Sequence, residues 1–188
     1  MDRIKDYLNA VAALLTEIPS EEIRKVADLV LDAYKTGKQV ILMGNGGSAA
    51  TASHFACDLQ KGVSCKGDKK FKVMAVTDNT PLITALANDF DYSDIFAEQI
   101  SIWAQPGDLV IAFSGSGDSA NIIKGIESAN EKNAVTIGLS GFKGGRLAQI
   151  AQHNITVPSD DMQHIEDVHL VLGHIIYRYV LEEIAACP

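Results

Sequence analysis

From Asp2 to Lys35 the apolar residues recur at helical spacing. Leu8, Val11, Leu14 and Leu15 form one stripe, and Ile23, Val26, Leu29, Val30 and Tyr34 form a second. Ser20 lies between the stripes as an expected N-cap, with Glu21 and Glu22 in the first turn, where the helix dipole favours negative charge. The period then changes. Val40–Met43 is a short apolar run ending at Gly44, and Phe71–Val76, Leu109–Phe113, Val135–Leu139 and the shorter Asn154–Val157 have the same character. Runs of this length, apolar on both faces, predict buried strands. Helices are predicted between them over Ser48–Lys61, Pro81–Trp103 (broken near Asp91), Ser119–Lys132 and Gly145–Ala151. A last helix is predicted from about Met162 to Ala185, with Asp160 as its cap and Gln163 three residues on. Strands alternating with helices specify an α/β fold whose five-stranded parallel sheet is covered on both sides. Such sheets bind ligands in the crevice outside the carboxyl ends of their strands, so function is sought there.

Two strand ends carry similar loops. The first strand runs into Gly44-Asn45-Gly46-Gly47-Ser48-Ala49-Ala50 and the third into Ser114-Gly115-Ser116-Gly117-Asp118-Ser119-Ala120-Asn121, each opening a helix. Glycine lets a backbone approach a ligand, a helix start offers unpaired N–H groups, and serine adds hydroxyl donors. One such turn is ordinary strand-to-helix chemistry; a matched pair on one sheet has the composition of a phosphate cradle. A third connection, Ser140–Gly145, is again glycine-rich. The first loop also satisfies a dinucleotide fingerprint through Gly44, Gly46 and Ala49, which would make the chain a dinucleotide-binding oxidoreductase. That motif expects an acidic residue about 20 positions on, whereas Asp78 lies 34 residues after Gly44.

Histidines and carboxylates cluster in two places. His54 and Asp58 are an i,i+4 pair on the helix after the first loop, and the last helix carries Glu166, His169 and His174 just after His164. His153, His164 and His169 read as hydrogen-bonded core or interface residues. His174 sits within the apolar stretch Leu170–Ile176 and is harder to explain as surface. A carboxylate and an imidazole facing a sugar-phosphate pocket can do general acid–base work, and two histidines with two carboxylates also make a mixed N/O zinc set. Glu166 and His174 are eight residues apart, about 12 Å along an ideal helix, so they share an ion only if their side chains converge.

The 188 residues can bury a substantial core, and no low-complexity tract or proline-rich linker divides them, so residues 1–188 read as one domain. Sixteen Lys+Arg against twenty-four Asp+Glu give a net charge of −8, which argues against nucleic-acid or anionic-membrane partners. Three cysteines (Cys57, Cys65 and Cys187) without a pairing pattern, no signal-like N-terminus and no membrane-length apolar run point to a cytoplasmic chain. No Lys or Arg lies in either serine-glycine loop, so a phosphate there would be held by neutral donors.

Taken together, Gly44-Asn-Gly-Gly-Ser48, His54-Phe-Ala-x-Asp58, Asn88-Asp-Phe90, Ser114-x-Ser116-Gly-x-Ser119-Ala-Asn121 and Glu166-x-x-His169-x-x-x-x-His174 resemble the sugar isomerase (SIS) family, specifically its phosphoheptose isomerases. The resemblance covers nearly the whole chain. It implies a three-layer, flavodoxin-like sandwich with two leading helices and a long final one, assembled as a homotetramer with sites between subunits. The activity it implies is isomerisation of sedoheptulose 7-phosphate to a heptose 7-phosphate through an enediol. By analogy Ser114, Gly115, Ser116 and Ser119 would hold phosphate, while Asn45, Gly46, Gly47, Ser48, Asn88, Asp89 and Glu166 would bind the rest of the substrate. Asp58 stands at the family's catalytic glutamate and His174 at its partner histidine; zinc would bind at His54, Asp58, Glu166 and His174. Four features depart from the pattern: Asp58 replaces Glu, Glu166 replaces Gln, Gly115 and Asp118 replace Thr and Asn, and Gly62, beside Lys61, replaces an arginine. The shorter base also motivates an alternative, a non-catalytic family member that binds a regulatory partner.

Overall fold

A computed structural model describes residues 2–66 and 69–186; Cys187 lies outside them. Helices α1 (Arg3–Glu17) and α2 (Ser20–Thr36) precede β1 (Val40–Gly44). Helix α3 (Gly46–Cys57) passes into a π-helical segment, Asp58–Val63, and a single turn, α4 (Ser64–Lys66), before β2 (Val73–Ala75). Helix α5 (Thr80–Asp89), a 3-10 turn (Tyr92–Asp94) and α6 (Ala97–Trp103) lead to β3 (Leu109–Ser114). The chain continues through α7 (Ala120–Glu131), β4 (Val135–Ser140), α8 (Leu147–Ile150), β5 (His153–Thr156) and α9 (Met162–Ala186).

The five strands form one parallel sheet of order β2-β1-β3-β4-β5. Alternate residues face opposite layers, as the pleat requires. Val40 and Leu42 pack with Val30 of α2, Phe55 of α3 and Leu172 of α9, whereas Ile41 and Met43 pack with Phe96, Ile100, Ile122 and Ile126 on the other face. Both faces are therefore apolar, which is why the strands read as unbroken hydrophobic runs. The α/β class and the helix-on-both-faces arrangement are as expected from the sequence.

Several local expectations are corrected. Pro19, not Ser20, occupies the cap position of α2; its carbonyl accepts from the N–H groups of Glu22 and Ile23, and Ser20 is the first helical residue. Asp161, not Asp160, caps α9, its carboxylate accepting from the N–H groups of Gln163 and His164 at 3.0 and 3.2 Å. The α-helix after the first loop ends at Cys57; the π turn beyond it keeps Leu59 and Val63 in the core, so the apolar spacing conceals the change. Strand β2 is shorter than Phe71–Val76 because it lies at the sheet edge and pairs only with β1. Helix α1 has no buried residue and leaves Ile4 and Leu8 exposed.

His169 is the buried histidine of α9, 1 % exposed, with Nε2 3.1 Å from the Ser140 carbonyl at the end of β4. A carbonyl only accepts, so Nε2 carries the proton and the buried Nδ1 is a lone-pair nitrogen with no partner among the described residues. Burial lowers its pKa from the ordinary 6.5 to about 4, against the opposing pull of the Ser140 carbonyl. The unfolded chain takes up this proton below its ordinary pKa while the folded chain does not. Stability from this residue is thus complete above about pH 6.5 and is lost as pH falls towards 4, by roughly 3 kcal/mol at most. Denaturant titrations between pH 7 and 4.5 should show this acid loss in the wild type and a flatter profile in His169→Gln. Parallel profiles would contradict the assignment.

Candidate active site

Strand β1 ends at Gly44 opposite Phe113, one residue before β3 ends at Ser114, so the two serine-glycine loops open side by side. This is the point at which strand order reverses, where doubly wound sheets leave a crevice. A cleft of about 260 Å³ lies there, lined by Asn45, Gly46, Gly47, Ser48, Phe113, Ser114, Gly115, Ser116, Ser119, Met162 and Glu166. All the expected substrate residues meet in it except Asn88 and Asp89, which lie at the end of α5 with the Asn88 amide donating to Asp89 at 2.8 Å.

The serine loop is built to present donors. The Ser114 hydroxyl oxygen accepts from the Gly117 N–H at 3.2 Å, and that of Ser116 accepts from the Asp118 N–H at 3.2 Å. Each hydroxyl proton stays available to point outward. The third glycine-rich connection supports this loop from behind. Gly141 N–H donates to the Gly115 carbonyl and Leu147 N–H to the Gly117 carbonyl, each at 2.8 Å, while the Asp118 carboxylate accepts from the Arg146 N–H at 2.8 Å. Among the described residues Glu166 is the one charged residue lining the cleft, and its carboxylate lies where a Cβ on Gly47 would stand.

A second group sits where α3 meets α9. His54 Nε2 and His174 Nε2 are 3.0 Å apart, and Asp58 Oδ2 lies 3.4 Å from the first and 3.8 Å from the second. The facing nitrogens form a hydrogen bond only when one of them carries a lone pair, the other supplying the proton. One potential ligand atom from each of the three residues lies within 4.8 Å of the others. Both histidine side chains are about half exposed, so His174 faces outward from α9 despite its apolar neighbours in sequence. Glu166 is not in this trio: two turns nearer the start of α9, its carboxylate enters the cleft instead. The missing arginine also has a local cause. Any side chain at Gly62 would run into the Tyr177 ring and hydroxyl, and the neighbouring Lys61 lines a separate cleft with Ser53 and Asp78.

Residues 6–141 match the family model described as the SIS domain. The chain is 38 % identical over 172 residues to a phosphoheptose isomerase from Aquifex aeolicus, spanning 92 % of this chain and 90 % of that one. The chain belongs to the SIS family, among the phosphoheptose isomerases. A probable phosphoheptose isomerase from Thermoplasma acidophilum is likewise 38 % identical, over 95 % of this chain and 98 % of its own length. The solved structure of a phosphoheptose isomerase from Francisella tularensis superposes with a TM-score of 0.89 at 26 % identity, covering 96 % of this chain and 97 % of that one.

Within this SIS fold the dinucleotide reading loses its acidic residue, because Asp78 hydrogen-bonds the Ser53 hydroxyl beside a different cleft. Sequence reasoning did not assign Phe113 and Met162, which close the cleft, or Tyr92, whose hydroxyl donates to Asn45 Oδ1 at 3.2 Å. The signal available was modest: Tyr92 follows the Asn88-Asp89-Phe90 motif, and Met162 opens the helix that bears Glu166.

Gly117 has φ +72°, and a Cβ there would overlap the Gly144 carbonyl of the supporting loop. Gly117→Ala therefore meets both left-handed strain, about 1–2 kcal/mol, and a backbone clash that cannot rotate away. Thermal unfolding should show a lowered Tm. An unchanged Tm would contradict the packing described.

Proposed function

We propose that the protein interconverts the ketose and aldose forms of a phosphorylated sugar, acting on sedoheptulose 7-phosphate to give D-glycero-D-manno-heptose 7-phosphate. One observation carries this reading. A cleft of neutral donors lies at the starts of α3 and α7, and the end of α3 meets α9 further along to bring His54, Asp58 and His174 to short range. The phosphate takes the amides and hydroxyls of Ser114, Gly115, Ser116 and Ser119, and the sugar runs along Gly46, Gly47, Ser48 and Glu166 towards Asp58.

Asp58 is the general base. Its carboxylate removes a proton from C1 of the open-chain ketose, leaving an enediol, and returns that proton to C2. His174 assists ring opening and moves the compensating proton from the C1 hydroxyl to the C2 oxygen. Such positioned proton transfer is worth about 10²–10⁴-fold in rate. Zinc fits His54, Asp58 and His174, because their nitrogen and oxygen donors already converge and are of the type zinc accepts. Glu166, expected in that set from the resemblance, stands outside it, because its carboxylate lies in the cleft against Gly47. Bound at His54, Asp58 and His174, zinc supplies Lewis-acid polarisation of the substrate's carbonyl oxygen.

Self-association completes the reading. The exposed Ile4 and Leu8 on a helix with no buried residue form the face through which the chain assembles, as a homotetramer. Asn88 and Asp89 then reach the sugar at the subunit boundary.

NMR of the ketose phosphate incubated with enzyme and zinc should show aldose phosphate accumulating. Asp58→Asn should lower kcat by about 10²-fold or more and leave KM within a few-fold. No turnover by the wild type would overturn the activity, and full turnover by Asp58→Asn would overturn the role of Asp58.

A further inference from the structure

Asn45 occupies the cap position of α3, yet its side chain makes no capping bond to that helix. An asparagine at such a position ordinarily accepts from the second or third helical N–H. Here the side chain crosses the crevice instead. Asn45 Nδ2 donates to Asn121 Oδ1 at 2.8 Å, and Asn121 Nδ2 donates back to Asn45 Oδ1 at 2.9 Å. Each oxygen takes a second donor: the Ile122 N–H reaches Asn121 Oδ1 at 2.9 Å, and the Tyr92 hydroxyl reaches Asn45 Oδ1 at 3.2 Å. These outer donors fix both amide orientations, since turning either amide over would set donor against donor. Asn121 is 3 % exposed, so the pair is shielded from competing water on that side.

We propose that Asn45 and Asn121 form an amide clasp that sets the spacing of the two phosphate-binding loops, making both of them positioning residues. The inference rests on the sugar-phosphate reading of the cleft. The ladder between β1 and β3 ends at Gly44 and Phe113, and among the described residues the two amide bonds are the only hydrogen bonds joining the loops beyond it. The clasp therefore extends the sheet's register past the strand ends by side chains. It also explains the uncapped start of α3, where Asn45 is committed across the crevice; Ser119, at the cap of α7, makes no capping bond, while Asn121 Oδ1 takes the Ile122 N–H of that helix. Two twelve-residue helices thus turn their first amides towards one cleft at a separation fixed by the clasp.

The test joins kinetics of the full-length, zinc-supplied enzyme with NMR of the ligand-free protein. Asn45→Ala, Asn121→Ala and the double variant are assayed with sedoheptulose 7-phosphate. Each single variant should raise KM about ten-fold with kcat within about three-fold, because Asp58 and His174 lie outside the clasp. The double variant should match the single ones, since the second change removes a bond already lost. Hydrogen exchange of the Asn45 side-chain amide should be at least about ten-fold slower than that of the exposed Asn133 and become fast in Asn121→Ala. Should Asn121→Ala fail to fold, Asn45→Ala removes the same bonds from the more accessible side, and its KM shift decides. Unchanged KM, fully multiplicative effects in the double variant, or an unprotected Asn45 amide would overturn the clasp. A protected amide in a wild type that turns over no sugar phosphate would instead overturn the functional reading and leave the clasp standing.

Discussion

In a parallel sheet of order β2-β1-β3-β4-β5, the connections leaving β1 and β3 run to opposite sides of the sheet. The loops at those two strand ends diverge, and a crevice opens between them. The serine-glycine cleft depends on that divergence. It brings the starts of α3 and α7 to one place, and with them unpaired amides and the favourable ends of two helix dipoles. The serine hydroxyls, the glycine backbones and the supporting Ser140–Gly145 connection refine a site that the topology has already located.

Helix α9 closes the arrangement. Over its 25 residues it carries Met162 and Glu166 at the cleft, His169 against the end of β4, His174 opposite His54 and Tyr177 over Gly62. One helix thereby sets the distance between the serine-glycine cleft and the His54–Asp58–His174 group. The net charge of −8 does not oppose an anionic ligand, because the cleft offers hydroxyls and amides and only Glu166 among its lining residues is charged.

Much of this was legible in the sequence because strand burial and loop chemistry are local properties. The alternation of apolar runs with helical stretches gave the sheet, and the repeated serine-glycine pattern pointed to the strand ends that form the cleft. What escaped notice depends on distant atoms. The π turn beginning at Asp58 leaves the spacing of Phe55, Leu59 and Val63 intact, so periodicity is blind to it. Asp161 outcompetes Asp160 at the cap through the direction in which the chain enters α9, which composition does not record. The bond from Asn45 to Asn121 joins residues 76 positions apart, and only the pairing of β1 with β3 brings them together. Glu166 and His174 share a helix, but their separation along it sends the first to the cleft and leaves the second with His54 and Asp58.

On the proposed function, one crevice, between β1 and β3, receives the phosphate of the substrate. Backbone amide shifts of the isotope-labelled protein, followed during titration with a ketose phosphate, test it most directly. Saturable shifts are expected at Gly46, Gly47 and Ser48 and at Ser114, Gly115, Ser116 and Ser119, following one binding curve, with the loops of β2 and β5 unmoved. Shifts confined to one of the two loops, or centred elsewhere on the surface, would contradict it.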